Sequence, residues 1–155
     1  MKTVKYYRCP LGWVEIQTSC NAVTSVVLCN EKKDDVYTGD SPIAAECINQ
    51  LDEYFNGART SFDLPISQTG TVFQQSVWNV LTEIEYGTTV SYSWVAKKIN
   101  NPKSVRAVGA ANGKNKIWII VPCHRVIGAD GSLTGYAGGL ERKKWLLAHE
   151  GKHKI

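Results

Sequence analysis

The sequence predicts a mixed α/β chain, more closely α+β, made of two small domains: an antiparallel sheet with one helix, then a mostly helical half. Three observations carry this. Apolar and polar residues alternate in the first third, apolar residues recur at helical spacing after residue 70, and the polar, turn-rich Ser67-Gln68-Thr69-Gly70-Thr71 lies between. That stretch sets the domains at residues 1–68 and 69–155. A chain of 155 residues can bury a core without disulfide staples, and 43% hydrophobic with 21% charged residues excludes an intrinsically disordered protein.

In the first domain, Trp13-Val14-Glu15-Ile16-Gln17 alternates as a half-buried strand does, and Val23-Thr24-Ser25-Val26-Val27-Leu28-Cys29 is a second β-branched run. Pro10-Leu11-Gly12 and Ser19-Cys20-Asn21 read as turns between antiparallel strands. Residues 31–40 form a charged loop. Ser41-Pro42 has the cap-plus-proline form of a helix start, Ile43, Ala44, Cys47, Ile48, Leu51, Tyr54 and Phe55 follow at helical spacing, and Asn56-Gly57 ends the helix. Phe62-Asp63-Leu64-Pro65-Ile66 is a short extended piece.

In the second domain, Phe73, Val77, Val80, Leu81 and Ile84 mark one face of a helix running to near Gly87. Residues 92–99 form another helix, Asn100-Asn101-Pro102 a sharp turn, and residues 104–111 a third helix closed by Asn112-Gly113. Two short helices joined by a tight turn form a helix-turn-helix pattern. Ile117-Trp118-Ile119-Ile120-Val121 reads as a buried strand leading into Pro122-Cys123-His124-Arg125.

The apolar run at residues 117–122 is far too short to cross a bilayer, and no long apolar stretch follows Lys2, so neither membrane anchor nor signal peptide is expected and the location is cytoplasmic. Five cysteines at irregular spacing, without a CxxC pair, do not make a disulfide framework. The net charge of +4 is unevenly spread. Residues 1–70 carry six Lys/Arg against nine Asp/Glu, and residues 71–155 carry twelve against five. A basic half fits an anionic partner, nucleic acid first, or a solvated surface with no partner.

Among the cysteines, Cys123 has His124 and Arg125 beside it, the surroundings a nucleophilic thiol requires. On an extended segment adjacent side chains point oppositely, so a proton would pass from thiol to imidazole through a water. A buried strand-end cysteine is the plainer reading, and it is accepted for Cys9, Cys20, Cys29 and Cys47.

Pro-Cys-His-Arg-Val resembles the active-site signature of the methylated-DNA–protein-cysteine methyltransferase family. The resemblance extends through Gly87-Thr88-Thr89-Val90-Ser91-Tyr92, Arg106-Ala107-Val108-Gly109-Ala110-Ala111, Asn115, Gly135-Tyr136-Ala137-Gly138-Gly139-Leu140 and Lys144-Trp145-Leu146-Leu147-Ala148-His149-Glu150-Gly151. It covers roughly residues 70–151; the first 65 residues match more loosely.

The resemblance implies a ribonuclease-H-like N-terminal domain and a winged-helix-like C-terminal domain. It implies repair by direct reversal: an irreversible, single-turnover transfer of the alkyl group of 6-O-methylguanine, and of 4-O-methylthymine, to Cys123 after base flipping. His124 would take the thiol proton and Glu150 would support His124. Tyr92 would meet the flipped base and the DNA phosphate. Asn115 would tie the helix-turn-helix to the active-site strand. Arg106 would enter the duplex in place of the extruded nucleotide. Lys103, Ser104, Ala107, Gly109 and Arg125 complete the expected DNA contacts. Tyr136, Ala137, Gly138, Val126 and Trp118 are the expected pocket, with alanine at 137 where many members have serine. The three histidines, at 124, 149 and 153, offer no N-terminal zinc site; no metal and no cofactor are expected. The expected partner is double-stranded DNA containing alkylated guanine, bound by a monomer with no membrane association.

Three other readings compete. Alkyltransferase-like proteins bind damaged bases without reacting, but they replace the cysteine that is present here. A Cys-His-Glu hydrolase would turn over repeatedly and has no use for a helix-turn-helix. A plain helix-turn-helix regulator would keep its function without Cys123.

Overall fold

The computed structural model describes residues 2–33 and 39–153, so residues 34–38 of the predicted charged loop lie outside the described residues. The chain divides into two compact units: Met1–Gln68 with Lys116–Ile120, and Thr69–Asn115 with Val121–Ile155. The boundary at residue 68 thus coexists with a five-residue excursion of the second half into the first unit.

The first unit is built on an antiparallel sheet in the order β1 (Lys2–Cys9), β2 (Gly12–Ser19), β3 (Ala22–Cys29). Two-residue turns join the strands. At the second, Cys20 and Asn21 both take positive φ, 52° and 62°, the left-handed pair that suits the twist of a hairpin. Val14, Ile16, Val23, Val26 and Leu28 are buried; each such side chain contributes roughly 1.5–3 kcal/mol of burial. Helix α1 (Pro42–Phe55) starts as the sequence predicts: the Ser41 hydroxyl accepts from Ala44 N, with proline in the first turn. Its Ala44, Cys47, Leu51 and Tyr54 are fully buried. Gln50 grips the chain beyond α1 from both sides, donating to Asp63 O (3.0 Å) and accepting from Asp63 N (2.9 Å).

Two short segments extend the free edge of β3. Ile66 bridges Val23, and Ile117 bridges Val26. Val26 N donates to Lys116 O and Trp118 N to Val26 O, both at 2.8 Å. This corrects the predicted strand at residues 117–121. Only the bridge at Ile117 is strand-like. The chain then turns, with Ile119 at φ +72°, a conformation that costs a β-branched residue dearly. The apolar run reflects burial on all sides, which strand and buried turn share.

The second unit begins with α2 (Val72–Leu81), closed at its start by a reciprocal capping box between Thr71 and Gln74. The helix ends at Leu81, short of the predicted Gly87. Glu83 N and Ile84 N bond three residues back, to Val80 O and Leu81 O, so Ile84 is buried by a tightened turn. Strand β4 (Val90–Ser91) leads into α3 (Tyr92–Lys98). A turn with Asn100 at φ +59° follows, then α4 (Val105–Gly113). Two short helices joined by a tight turn thus stand where the sequence places them. Val77, Leu81, Val95, Ala96, Val108 and Ala111 are buried, and Trp78 Nε1 donates to Ala111 O at 2.9 Å. Strand β5 (Val126–Ile127) pairs in parallel with β4, and α5 (Leu140–Lys152) closes the unit. The sequence reading does not place the β4–β5 pair or the bounds of α5.

No helix among the described residues is long and apolar enough to cross a membrane.

Candidate active site

The segment Cys123–Arg125 is one turn of 3-10 helix, preceded by Pro122 and followed by β5. The extended geometry assumed for Cys123 and His124 is therefore replaced by a tight turn, held by Cys123 N on Val121 O (2.8 Å) and Arg125 N on Pro122 O (3.0 Å). Proline at the turn's entry fixes φ and supplies a carbonyl without asking for a hydrogen bond in return.

The turn is anchored from the last residues of α4 and from just beyond it. Asn115 donates from Nδ2 to Val121 O at 2.9 Å and also hydrogen-bonds the Cys123 side chain. Asn112, read from the sequence only as a helix-ending residue, donates from Nδ2 to Cys123 O at 3.3 Å. Both asparagines are buried.

Cys123 is 3% exposed. Burial pushes its thiol up to about 11, against the pull of the Asn115 hydrogen bond and the Lys143 charge. A thiol this weakly acidic needs a base at the moment of reaction. His124 is fully buried, and its Nε2 lies 2.7 Å from Glu150 Oε2. Burial lowers the imidazole's pKa, outweighing the opposing hydrogen bond and charge of Glu150, so the ring is neutral near pH 7. A neutral ring that donates from Nε2 to a carboxylate carries its lone pair on Nδ1. Nδ1 is buried and has no partner among the described residues.

Glu150 sits on α5. Burial alone would raise its carboxyl, but the hydrogen bonds and charges of His124 and Arg125 prevail and hold it well below the usual carboxylate range. Arg125 is the larger surprise. The expected DNA contact is buried: Nε donates to Glu150 Oε1 (2.8 Å), Nη2 to Glu150 Oε2 (3.0 Å) and Nη1 to Ile84 O (2.7 Å). Its guanidinium carbon also lies 5.6 Å from the Tyr86 ring centroid. The fork geometry of arginine suits a carboxylate, and a guanidinium committed to one is withdrawn from phosphate. Arg125 thus clamps Glu150 while Glu150 supports His124.

Sequence reasoning also missed Lys143. Fully buried, it donates from Nζ to Val126 O (2.7 Å) and Thr134 O (2.8 Å), tying β5 and the following loop to α5. The signal was available: Lys143, Leu146 and Glu150 share one face of α5 at helical spacing, so an inward-facing glutamate and leucine place the lysine inward too.

The remaining expected residues fall into two groups. Lys103, Arg106 and Ala107 are exposed at the start of α4 and on the turn before it; Gly109 and Ser104 are half-buried there, the latter with its hydroxyl on Asn101 O (2.6 Å). Tyr92, the first residue of α3, accepts from Thr134 Oγ1 at 3.2 Å, and a Cβ on Gly109 would lie 3.9 Å from its ring. Nearer Cys123, Val126 is buried, Tyr136 and Gly138 are half-buried, and Ala137 is exposed. Gly135 and Gly139 take φ of +25° and +94°, which lets the loop carrying Tyr136 reverse on its way into α5. Trp118 belongs to the first unit, where its backbone pairs with Val26. No group of three or more His, Cys, Asp or Glu suited to a metal occurs among the described residues, and all five cysteines are free thiols.

Together, a buried thiol, a neutral imidazole with its basic nitrogen turned from a carboxylate, and a carboxylate clamped by a buried arginine form the set required for displacement by sulfur. Comparison with known proteins gives the same direction. Residues 3–68 match the family model for the 6-O-methylguanine DNA methyltransferase ribonuclease-like domain, and residues 72–152 the model for the 6-O-methylguanine DNA methyltransferase DNA-binding domain. The chain is 44% identical to a methylated-DNA–protein-cysteine methyltransferase of Mycolicibacterium paratuberculosis, over 93% of this chain and 89% of that one. It is 58% identical to one of Methanosarcina acetivorans, over 68% of each chain. The crystal structure of the Mycobacterium tuberculosis O6-methylguanine methyltransferase superposes with a TM-score of 0.89 at 40% identity, covering 100% of this chain and 96% of that one. The structure of the M. tuberculosis protein in complex with DNA does so with the same score at 41% identity, covering 97% and 94%. The chain belongs to the 6-O-methylguanine DNA methyltransferase family.

Proposed function

We propose that the protein repairs alkylated DNA by moving the methyl group from O6 of guanine onto Cys123, once per molecule. The observation that carries the reading is the set around Cys123: Nε2 of His124 at 2.7 Å from Glu150, Nδ1 buried and unpartnered, and Arg125 holding the carboxylate.

The step is an in-line displacement. The thiol proton goes to Nδ1 of His124 through a water, and the sulfur's electron pair forms the S–CH3 bond. The O6–CH3 bond breaks, leaving its electrons on guanine O6, and guanine takes up a proton. Glu150 stabilises the imidazolium that forms, and Arg125 keeps Glu150 ionised and oriented. The product is a methyl thioether, a neutral sulfide without a good leaving group, so each molecule acts once.

A stacked, paired base cannot present its O6 substituent to a buried sulfur, so the nucleotide leaves the duplex. Lys103, Arg106 and Ala107 form the exposed DNA face at α4, with Arg106 filling the gap. Small residues such as Ala107 let a helix approach the backbone closely, and the charge of the second half supplies a grip without sequence preference. Tyr92 and the loop at Tyr136, Ala137 and Gly138 cover the extruded base.

Intact mass and peptide mapping after mixing with duplex DNA containing 6-O-methylguanine test the proposal. The expected result is a gain of one methyl on the peptide carrying Cys123, saturating at one per protein. Tight binding of lesion DNA without mass change would replace this reading with damage binding alone. Neither reaction nor binding would end both.

A further inference from the structure

The sheet of the first unit has two faces, and they carry different chemistry. One packs on α1: Tyr7 Oη donates to Asp52 Oδ1 (2.8 Å), its ring lies 6.3 Å from that of Phe55, and the Thr18 hydroxyl meets that of Ser41 at 3.1 Å. Side chains alternate along a strand, so Lys2, Tyr6 and Arg8 of β1 and Trp13, Glu15 and Gln17 of β2 point to the other face. There the Arg8 guanidinium carbon lies 5.3 Å, and Lys32 Nζ 5.7 Å, from the centroid of the Trp13 ring. The Tyr6 ring meets that of Trp13 edge-on at 6.5 Å. Lys33 and Lys2 lie close enough for their charges to act on Glu15. Lys2, Arg8, Lys32 and Lys33 are exposed, and the two rings are half-buried.

Four of the six Lys/Arg in residues 1–70 thus gather on one face, in a region whose net charge is negative. The three strands contain a single acid, Glu15, and it is engaged from two sides: Tyr6 Oη donates to Oε2 at 2.7 Å and Gln17 Nε2 to Oε1 at 2.9 Å. Glu46, Asp52 and Glu53 lie on α1, which packs on the opposite face. The complement of such a face is a polyanion. Its rings narrow the choice. A duplex offers phosphates but keeps its bases stacked on one another. A single strand offers phosphates together with free base faces, which stack on aromatic rings and guanidinium planes. DNA is the strand this family meets. We propose that this face binds single-stranded DNA, with a base against the Arg8 guanidinium and Trp13 and phosphates on Lys2, Lys32 and Lys33. The surface shares no residue with α4 and makes no use of Cys123, so it stands apart from the proposed methyl transfer.

The test photo-cross-links the full chain to an undamaged single-stranded oligonucleotide carrying 5-iodouracil, and the adducts are mapped by peptide mass. Adducts on Tyr6 or Trp13 are expected. The half-saturating concentration read from those adducts should rise about tenfold when Arg8 and Lys32 are both replaced (Arg8→Gln with Lys32→Gln). The slope of log affinity against log salt should shrink by about 1.4, the share of two charges on a single strand. Both side chains are exposed, and single-turnover methylation of Cys123 from duplex DNA containing 6-O-methylguanine should be unchanged in the double variant, which reports that its fold is intact. Adducts confined to residues 69–155 would overturn the inference. So would an unchanged half-saturation in the double variant, or equal labelling of Tyr6 and Trp13 by a duplex carrying the same 5-iodouracil. Failure of the unmodified protein to methylate Cys123 would instead fell the proposed function and leave this surface standing.

Discussion

Cys47 and Cys123 are both buried thiols, one in each compact unit, and their surroundings differ in kind. Cys47 lies on the buried face of α1 with Leu51 and Tyr54. Burial pushes its thiol up to about 12, and the charge of Glu46 works in the same direction. Burial also pushes Cys123 up, to about 11, but there Asn115 and Lys143 pull back, and a neutral imidazole backed by a carboxylate follows in the chain. Both thiols are protonated at neutral pH. What separates them is a place for the proton to go during attack. A reactive cysteine inside a fold is made by the polar groups beside it more than by its acidity at rest.

The sharpest break of that comparison is deletion of each thiol. Cys123→Ala should abolish the methyl mass gain while lesion DNA still binds; Cys47→Ala should keep one methyl per protein. If Cys47→Ala lost transfer with its fold intact, the two thiols would not be separable in this way. Removing the base comes next. His124→Gln should slow transfer by about 10²- to 10⁴-fold. Its rate should also climb roughly tenfold per pH unit toward the thiol's value of about 11, because direct ionisation then replaces proton transfer to the ring. A flat profile in that variant would remove His124 from the role of base.

Two ion pairs extend the contrast to stability. Arg125→Leu leaves a buried carboxylate without its clamp and should cost about 3–5 kcal/mol in urea unfolding. Lowering the pH should erode the same network. The folded His124 titrates below its ordinary 6.5, so the unfolded chain takes the proton first and stability falls as pH drops through that value. Glu150, held below its ordinary 4.5, adds a second loss under that pH, and Glu150→Gln should flatten this lower limb. Arg59 and Glu53, at 2.9 Å in the first unit with side chains 26% and 41% exposed, should show the smallest effect. There Arg59→Ala should cost under about 1 kcal/mol, and a larger value would mean that exposure is not what ranks these pairs.

Local signals were legible where one segment decides its own structure. The Ser41-Pro42 start and Asn56 stop of α1, the alternation in β2, and the turn between α3 and α4 each follow from capping, periodicity or backbone preference over a few residues. The helix expected to reach Gly87 stops at Leu81, because periodicity reports which side chains are buried and not whether the backbone burying them is still helical. Residues 117–121 mislead for the same reason: apolar composition is shared by a buried strand and a buried turn. Lys143 and Asn112 were overlooked since a lone lysine reads as solvated and an Asn-Gly pair reads as a helix stop.

From the sequence alone came the two-part α+β architecture, two short helices joined by a tight turn, and the family, each carried by a contiguous pattern. Tertiary structure decided the network. Glu150 meets His124 across an interval of 26 residues and Lys143 meets Val126 across 17, and Arg125 turns inward to a carboxylate where the family resemblance implied a DNA contact. Side-chain partners are chosen by which faces of distant elements the core brings together, and by the cost of burying a charge without its counterpart. Neither is written in the local order of residues.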